Sequence, residues 1–150
     1  MKTPWMITII DDIEEMQQAE QLKRLVWNQS DTDIIPAHLI NSAVHNGGLL
    51  IGAYVEQDLV GFVFGFPGVY STPDGPRLKH YSSMLGVRTD FSGQGLGFTL
   101  KRAQWQMVRH QGIDRITWTY DQLLSRNAWM NINRLGTVCN TYRQNFYGKM

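Results

Sequence analysis

Apolar and polar positions along this chain follow two periods, and each change of period marks an element. Met6 to Ile10 is short, apolar and rich in β-branched side chains, which predicts a first strand. Asp11 and Asp12 end it. Asp12 and Glu15 have the spacing of a capping box, with Asp in the usual Ser/Thr place. Met16, Ala19, Leu22 and Val26 then recur at helical spacing, so a helix is predicted to about Trp27. Asn28 to Asp33 is a polar connection. Pro36 suits the first turn of a second helix carrying Leu39, Ile40, Ala43 and Val44, which Asn46-Gly47-Gly48 closes.

Leu49 to Val55 and Leu59 to Phe66 are apolar runs joined by Glu56-Gln57-Asp58, the pattern of a hairpin. Pro67 to Pro76, punctuated by proline and glycine, reads as a loop, and Leu78 to Val87 as a fourth strand. That strand leads through Ser92-Gly93-Gln94-Gly95-Leu96-Gly97, with three glycines at alternate positions, into an amphipathic helix. Leu96, Leu100, Ala103 and Met107 share one helical face, with Lys101, Arg102 and Arg109 placed elsewhere, and Gly112 closes the helix. Ile113 to Tyr120 is a fifth strand with Ile116, Trp118 and Tyr120 alternating. Ser125 caps a last helix whose Ala128, Ile132 and Leu135 face inward, Gly136 ends it, and Thr137 to Tyr147 is extended.

The predicted order is β-α-α-β-β-β-α-β-α-β. A hairpin combined with a strand–helix–strand unit argues for an α/β (α+β) fold with a mixed, mostly antiparallel central sheet and helices on both faces. The glycine turn is its chemical focus. A strand that empties through glycines into a helix sets bare backbone N–H groups at a positive helix end, a ready site for phosphate. The spacing does not fit the dinucleotide fingerprint, which needs two residues before its third glycine. Nor does it fit a P-loop, because Lys101 does not follow the required glycine.

Composition narrows the partners. At 150 residues with 43% hydrophobic and 18% charged residues, the chain is expected to form one domain spanning 1–150. A net charge of +1 gives no broad field for nucleic acid or an anionic membrane. The single cysteine, Cys139, has no internal disulfide partner and is expected to be structural in a reducing cytoplasm. No apolar run reaches membrane-spanning length, and the N-terminus lacks a signal-peptide core. His38, His45, His80 and His110 have no paired metal-ligand spacing, so no metal is expected and each is read as a surface or internally satisfied histidine.

Order and motif together resemble the GNAT superfamily of acyl-CoA-dependent N-acyltransferases, from Ile7 to Tyr147. Within it the chain resembles predicted acetyltransferases with a segment similar to Ile116-Thr117-Trp118-Thr119-Tyr120-Asp121. The family signature of Arg or Gln, two residues, Gly, one residue, then Gly or Ala falls on Ser92 to Gly97. Both glycine positions match, and Ser92 replaces Arg or Gln. The resemblance implies that backbone N–H groups of Gly93, Gln94, Gly95, Leu96, Gly97 and Phe98 bind the CoA pyrophosphate. It also implies that the pantetheine arm runs along Leu85, Gly86 and Val87, between splayed fourth and fifth strands. In the family's second signature Ala128 matches, while Ser125 stands at the Asn position. Ile132 stands where a tyrosine often reprotonates the CoA thiolate. Asn127, Asn131 and Arg134 form a helical stripe that reads either as contacts to pantetheine amides or phosphates or as an exposed polar face.

The implied activity is transfer of acetyl, or another acyl group, from its CoA thioester to a small-molecule or peptide amine by direct attack in a ternary complex. That chemistry needs a neutral amine, a stabilised carbonyl oxygen and a protonated leaving thiolate. A backbone N–H near Leu85 to Val87 is the candidate oxyanion donor, Asp121 the acidic candidate, Ser83 a polar candidate on the fourth strand, and Tyr142 or Tyr147 a substitute acid. The rival reading is a catalytically silent acyl-CoA-binding sensor or structural module. The family usually adds two strands after the last helix, and only 14 residues follow Gly136. The sheet is therefore expected either to stop at six strands or to borrow one in a homodimer.

Overall fold

The computed structural model describes residues 5–27 and 35–118. The polar connection at 28–33, the helix expected from Ser125 and the extended segment from Thr137 lie outside them. The described residues form β1 (Met6–Ile9), α1 (Ile13–Trp27), α2 (Ala37–Val44), β2 (Leu49–Val55), β3 (Asp58–Thr72), β4 (Gly75–Val87), α3 (Leu96–His110) and β5 (Ile116–Thr117). Among them the strands make one sheet in the order β1-β2-β3-β4-β5. Neighbours are antiparallel except β4 and β5, which are parallel. This is the mixed sheet that the element order predicts.

The two sheet faces carry separate apolar layers. Ile10, Leu50, Phe62 and Phe64 pack with Met16, Ala19 and Leu22 of α1 and Ile40 of α2. Ile51, Ala53, Val60 and Val63 pack with Leu96 and Leu100 of α3, flanked by Leu85 and Val87. The α1 start is capped as its sequence suggests, Glu14 N–H donating to Asp12 Oδ1 at 2.7 Å. Glu15 does not complete the box. Its carboxylate accepts instead from the Tyr54 hydroxyl of β2 at 2.7 Å, tying the helix to the sheet. Burial and this carboxylate push the Tyr54 phenol above its ordinary value. Glu20 of α1 accepts the Ala37 N–H at 2.8 Å, placing a negative charge at the positive end of α2.

One expectation changes. Pro67 to Pro76 is not a loop: β3 runs on to Thr72, and the ribbon pairs Pro67 with His80 through Thr72 with Gly75. Proline survives there because the ribbon is an extension beyond the packed sheet, where ladder donors can be given up. Burial on α3 also reaches beyond the apolar face of Leu96, Leu100, Ala103 and Met107, to Lys101, which is only 7% exposed.

Candidate functional site

β4 carries a bulge. Phe64 of β3 faces Met84 and Gly65 faces Ser82, so Ser83 is the extra residue with no ladder position of its own. The bulge reverses the alternation of β4. His80 and Ser82 lie under α3 before it, and Leu85 and Val87 lie under α3 after it. Leu85, Gly86 and Val87 pair with Val63, Phe62 and Gly61 of β3.

The chain then makes a 3-10 turn at Thr89–Phe91, braced by Arg88, whose guanidinium donates to both Asp90 carboxylate oxygens at 2.7 and 3.0 Å and lies 5.0 Å from the Phe91 ring centre. The Arg88 partner holds the Asp90 carboxyl below the usual carboxylate range. Gly93 and Gly95 follow with φ of 80° and 85°. Both values lie in the left-handed region, where a side chain is penalised. Gly95 is the N-cap of α3 and offers no side-chain cap. The first backbone bond of the helix runs from Thr99 N–H to Gly95 O at 3.1 Å, so the amides of Leu96 and Gly97 precede any intrahelical acceptor. A Cβ on Gly95 would meet nothing within 4 Å. The turn therefore keeps open space beside a positive helix end, as an anionic group requires. Gly97 is helical, one step past the turn.

Beneath α3 lies a buried polar group that the sequence reading missed. Lys101 Nζ donates to Ser82 Oγ at 2.7 Å and stands 4.3 Å from the centre of the Trp118 ring. One helical step on, Gln104 Nε2 lies 3.4 Å from His80 Nε2, both residues fully buried. Gly65 makes room for this histidine, since a Cβ there would come within 2.2 Å of His80 Nε2. Burial, with the charge of Lys101, brings His80 down to about 4, so the ring is neutral. Burial alone brings Lys101 down to about 7. His80 Nδ1 and Gln104 Oε1 find no protein partner, so His80 is buried yet only partly satisfied. One signal was available: Leu96, Leu100, Gln104 and Val108 recur at strict i+4 spacing, which places Gln104 inside the apolar stripe.

Of the residues singled out in the sequence, Ser83, Leu85 to Val87 and Ser92 to Phe98 lie along one continuous path from the bulge to the start of α3. Asp121, Asn127, Asn131 and Tyr142 lie outside the described residues. A cavity of about 350 Å³ lined by Ile7, Phe98, Thr99, Arg102, Ala103 and Gln106 opens on the β1 side of α3, on a different flank from Lys101. Among the described residues no group of three His, Cys, Asp or Glu side chains could hold a metal ion. Nor is any described helix long and apolar enough to cross a membrane.

A mixed sheet whose fourth strand feeds a glycine turn and then a helix across the sheet is the architecture of GNAT acetyltransferases. The sequence matches the family model for the acetyltransferase (GNAT) family over residues 10–136, and the chain belongs to that family. No curated protein matches it significantly in sequence. Among solved structures it is similar to an aminoglycoside acetyltransferase from an uncultured soil metagenomic sample, determined in complex with sisomicin. That match has 18% identity and a TM-score of 0.76, covering 97% of this chain and 96% of the other. It is also similar to an acetyltransferase of Trypanosoma brucei, at 12% identity and TM-score 0.72 over 94% and 97% of the two chains. A ribosomal-protein-alanine N-acetyltransferase of Brucella melitensis biovar Abortus 2308 gives 12% identity and TM-score 0.67 over 94% and 97%. At these identities the likeness is one of fold.

Proposed function

We propose that this chain transfers an acetyl group from acetyl-CoA to an amine by direct attack within a ternary complex. The observation that carries the reading is the turn at Gly93 and Gly95, with positive φ at both and no side-chain cap on the helix it opens. Helix-end amides and an unobstructed Gly95 suit a pyrophosphate. The backbone of Gly93 to Phe98 is assigned to that group, and Leu85, Gly86 and Val87 to the pantetheine amides, which would pair with β4 as an added strand does. Asn127 and Asn131 are assigned supporting contacts to the cofactor. Among the candidates for proton transfer, Ser83 sits at the bulge, and Asp121 and Tyr142 stay candidates on sequence grounds.

The acceptor is a small-molecule or peptide amine. An aminoglycoside and a peptide with N-terminal alanine are the first to try, because structural neighbours carry those names. A cytoplasmic setting agrees with the lone Cys139, and a homodimer through a sheet edge remains part of the reading. A second reading, a silent acyl-CoA-binding module, is favoured by Ser92 at the position where the family carries Arg or Gln.

Calorimetry with acetyl-CoA tests the binding, and thiol release over a panel of amines tests turnover. Saturable binding with amine-dependent CoA release supports the transferase, and binding without release supports the silent module. Failure of acetyl-CoA to bind, or to raise the melting temperature at saturation, removes both.

A further inference from the structure

We propose that Lys101 is a further catalytic residue of this site, the general acid that protonates the departing CoA thiolate. The inference rests on the acetyl-CoA reading above. Its geometry comes from the last described rungs between β4 and β5. Their described ladder consists of His80 with Ile116 and Tyr81 with Thr117. Ser82 and Trp118 are each the next residue after the last pair, and Lys101 Nζ touches both, at 2.7 Å from Ser82 Oγ and 4.3 Å from the Trp118 ring centre. The amine therefore stands one residue past the last described rung of that ladder, beside the Ser83 bulge of β4. An arm that begins at the glycine turn and follows β4 from Val87 to Leu85 runs toward the Ser83 bulge and the neighbouring Ser82 that holds Lys101. A thioester at the end of that arm meets Lys101.

The surroundings suit a proton donor. Lys101 is buried on α3, and among the described residues no carboxylate pairs with it. The titratable group facing it from β4 is His80, which is neutral. Gln104 on α3 and Trp118 after β5 carry no charge. Burial lowers the amine to about 7, so it can hold and release a proton near neutrality. Ile132 stands where the family's tyrosine acid falls, so the role has no occupant at that position.

In the step, the acceptor nitrogen lone pair attacks the thioester carbonyl carbon. The C–S bond breaks and its electron pair goes to sulfur. The Nζ proton passes to sulfur, giving the CoA thiol and a neutral Lys101. The proton shed by the acylated nitrogen goes to water, and solvent recharges Nζ.

The test follows Lys101 in the full chain labelled with 13Cε-lysine, with the resonance assigned by Lys101→Arg. Its titration midpoint is measured alone, with CoA and with desulfo-CoA, and calorimetry reports binding in each case. CoA is expected to lower the midpoint by about one pH unit, because the bound thiol donates to the neutral amine and stabilises it, and desulfo-CoA is expected to leave it in place. With an amine that the wild type acetylates, Lys101→Met should bind CoA normally and lose about 100-fold in kcat, without rescue by Lys101→Arg. CoA binding with an unmoved midpoint overturns the proposal, as does an equal response to desulfo-CoA or a Lys101→Met variant with undiminished kcat. If CoA does not bind at all, the acetyl-CoA reading fails, and this inference falls with it.

Discussion

Two glycines matter here for opposite reasons. Gly65 is needed because of what surrounds it. A Cβ would strike His80 Nε2 and also the Tyr81 carbonyl at 2.6 Å, and backbone cannot swing aside. Gly65→Ala is therefore expected to cost about 1–3 kcal/mol, read as a lower denaturant midpoint with unchanged slope. Gly95 is needed because of its own conformation and the room beside it. Gly95→Ala should cost about 1–2 kcal/mol for φ at 85° and should also weaken CoA binding by calorimetry. Thermal melts without ligand separate the two losses. The sequence marks both positions as glycine, yet only the fold reveals that one protects a buried histidine and the other an open helix end.

Among the elements, α1 and α3 differ in how their first turns are treated. The α1 start is closed by Asp12, and Asp12→Ala is expected to cost about 1 kcal/mol while leaving CoA affinity unchanged. A fall in affinity with that substitution would mean that the glycine turn is not the anion site. The α3 start carries no such cap. Periodicity located both helices because their apolar stripes are long enough to leave a pattern. It failed for the β3–β4 ribbon because Pro67, Pro73 and Pro76 carry a local turn signal, and pairing of Val69 with Leu78 and Tyr70 with Arg77 outweighs it. The buried side of α3 is wider than its apolar face, because it also takes in Lys101 and Gln104. Lysine is usually exposed, and a rule built on residue type places Lys101 outside even where Ser82 and Trp118 wait inside.

For the whole molecule, the buried polar group makes stability depend on pH. His80 is lowered from 6.5 to about 4 in the folded chain, so its contribution is fully present above about pH 6.5 and is lost as pH falls toward 4. Lys101 is lowered from 10.5 to about 7, so its contribution is present above pH 10.5 and is lost as pH falls through 7. Chemical denaturation across this range should show stability declining steadily toward acid. His80→Asn is expected to flatten the limb between pH 6.5 and 4, and Lys101→Met the limb above 7. An unchanged acid limb in His80→Asn would show that His80 is not the group responsible.

By itself the sequence determined the order of the elements through Lys101, the start of α1, the hairpin at Glu56-Gln57 and the glycine turn, since each depends on contacts within a few residues. Tertiary structure alone decided the Ser83 bulge, the extended ribbon and the meeting of Lys101 with Ser82 and Trp118. Those features arise from which residues a strand faces across the sheet, and one residue of slip at the bulge changes every side chain beyond it.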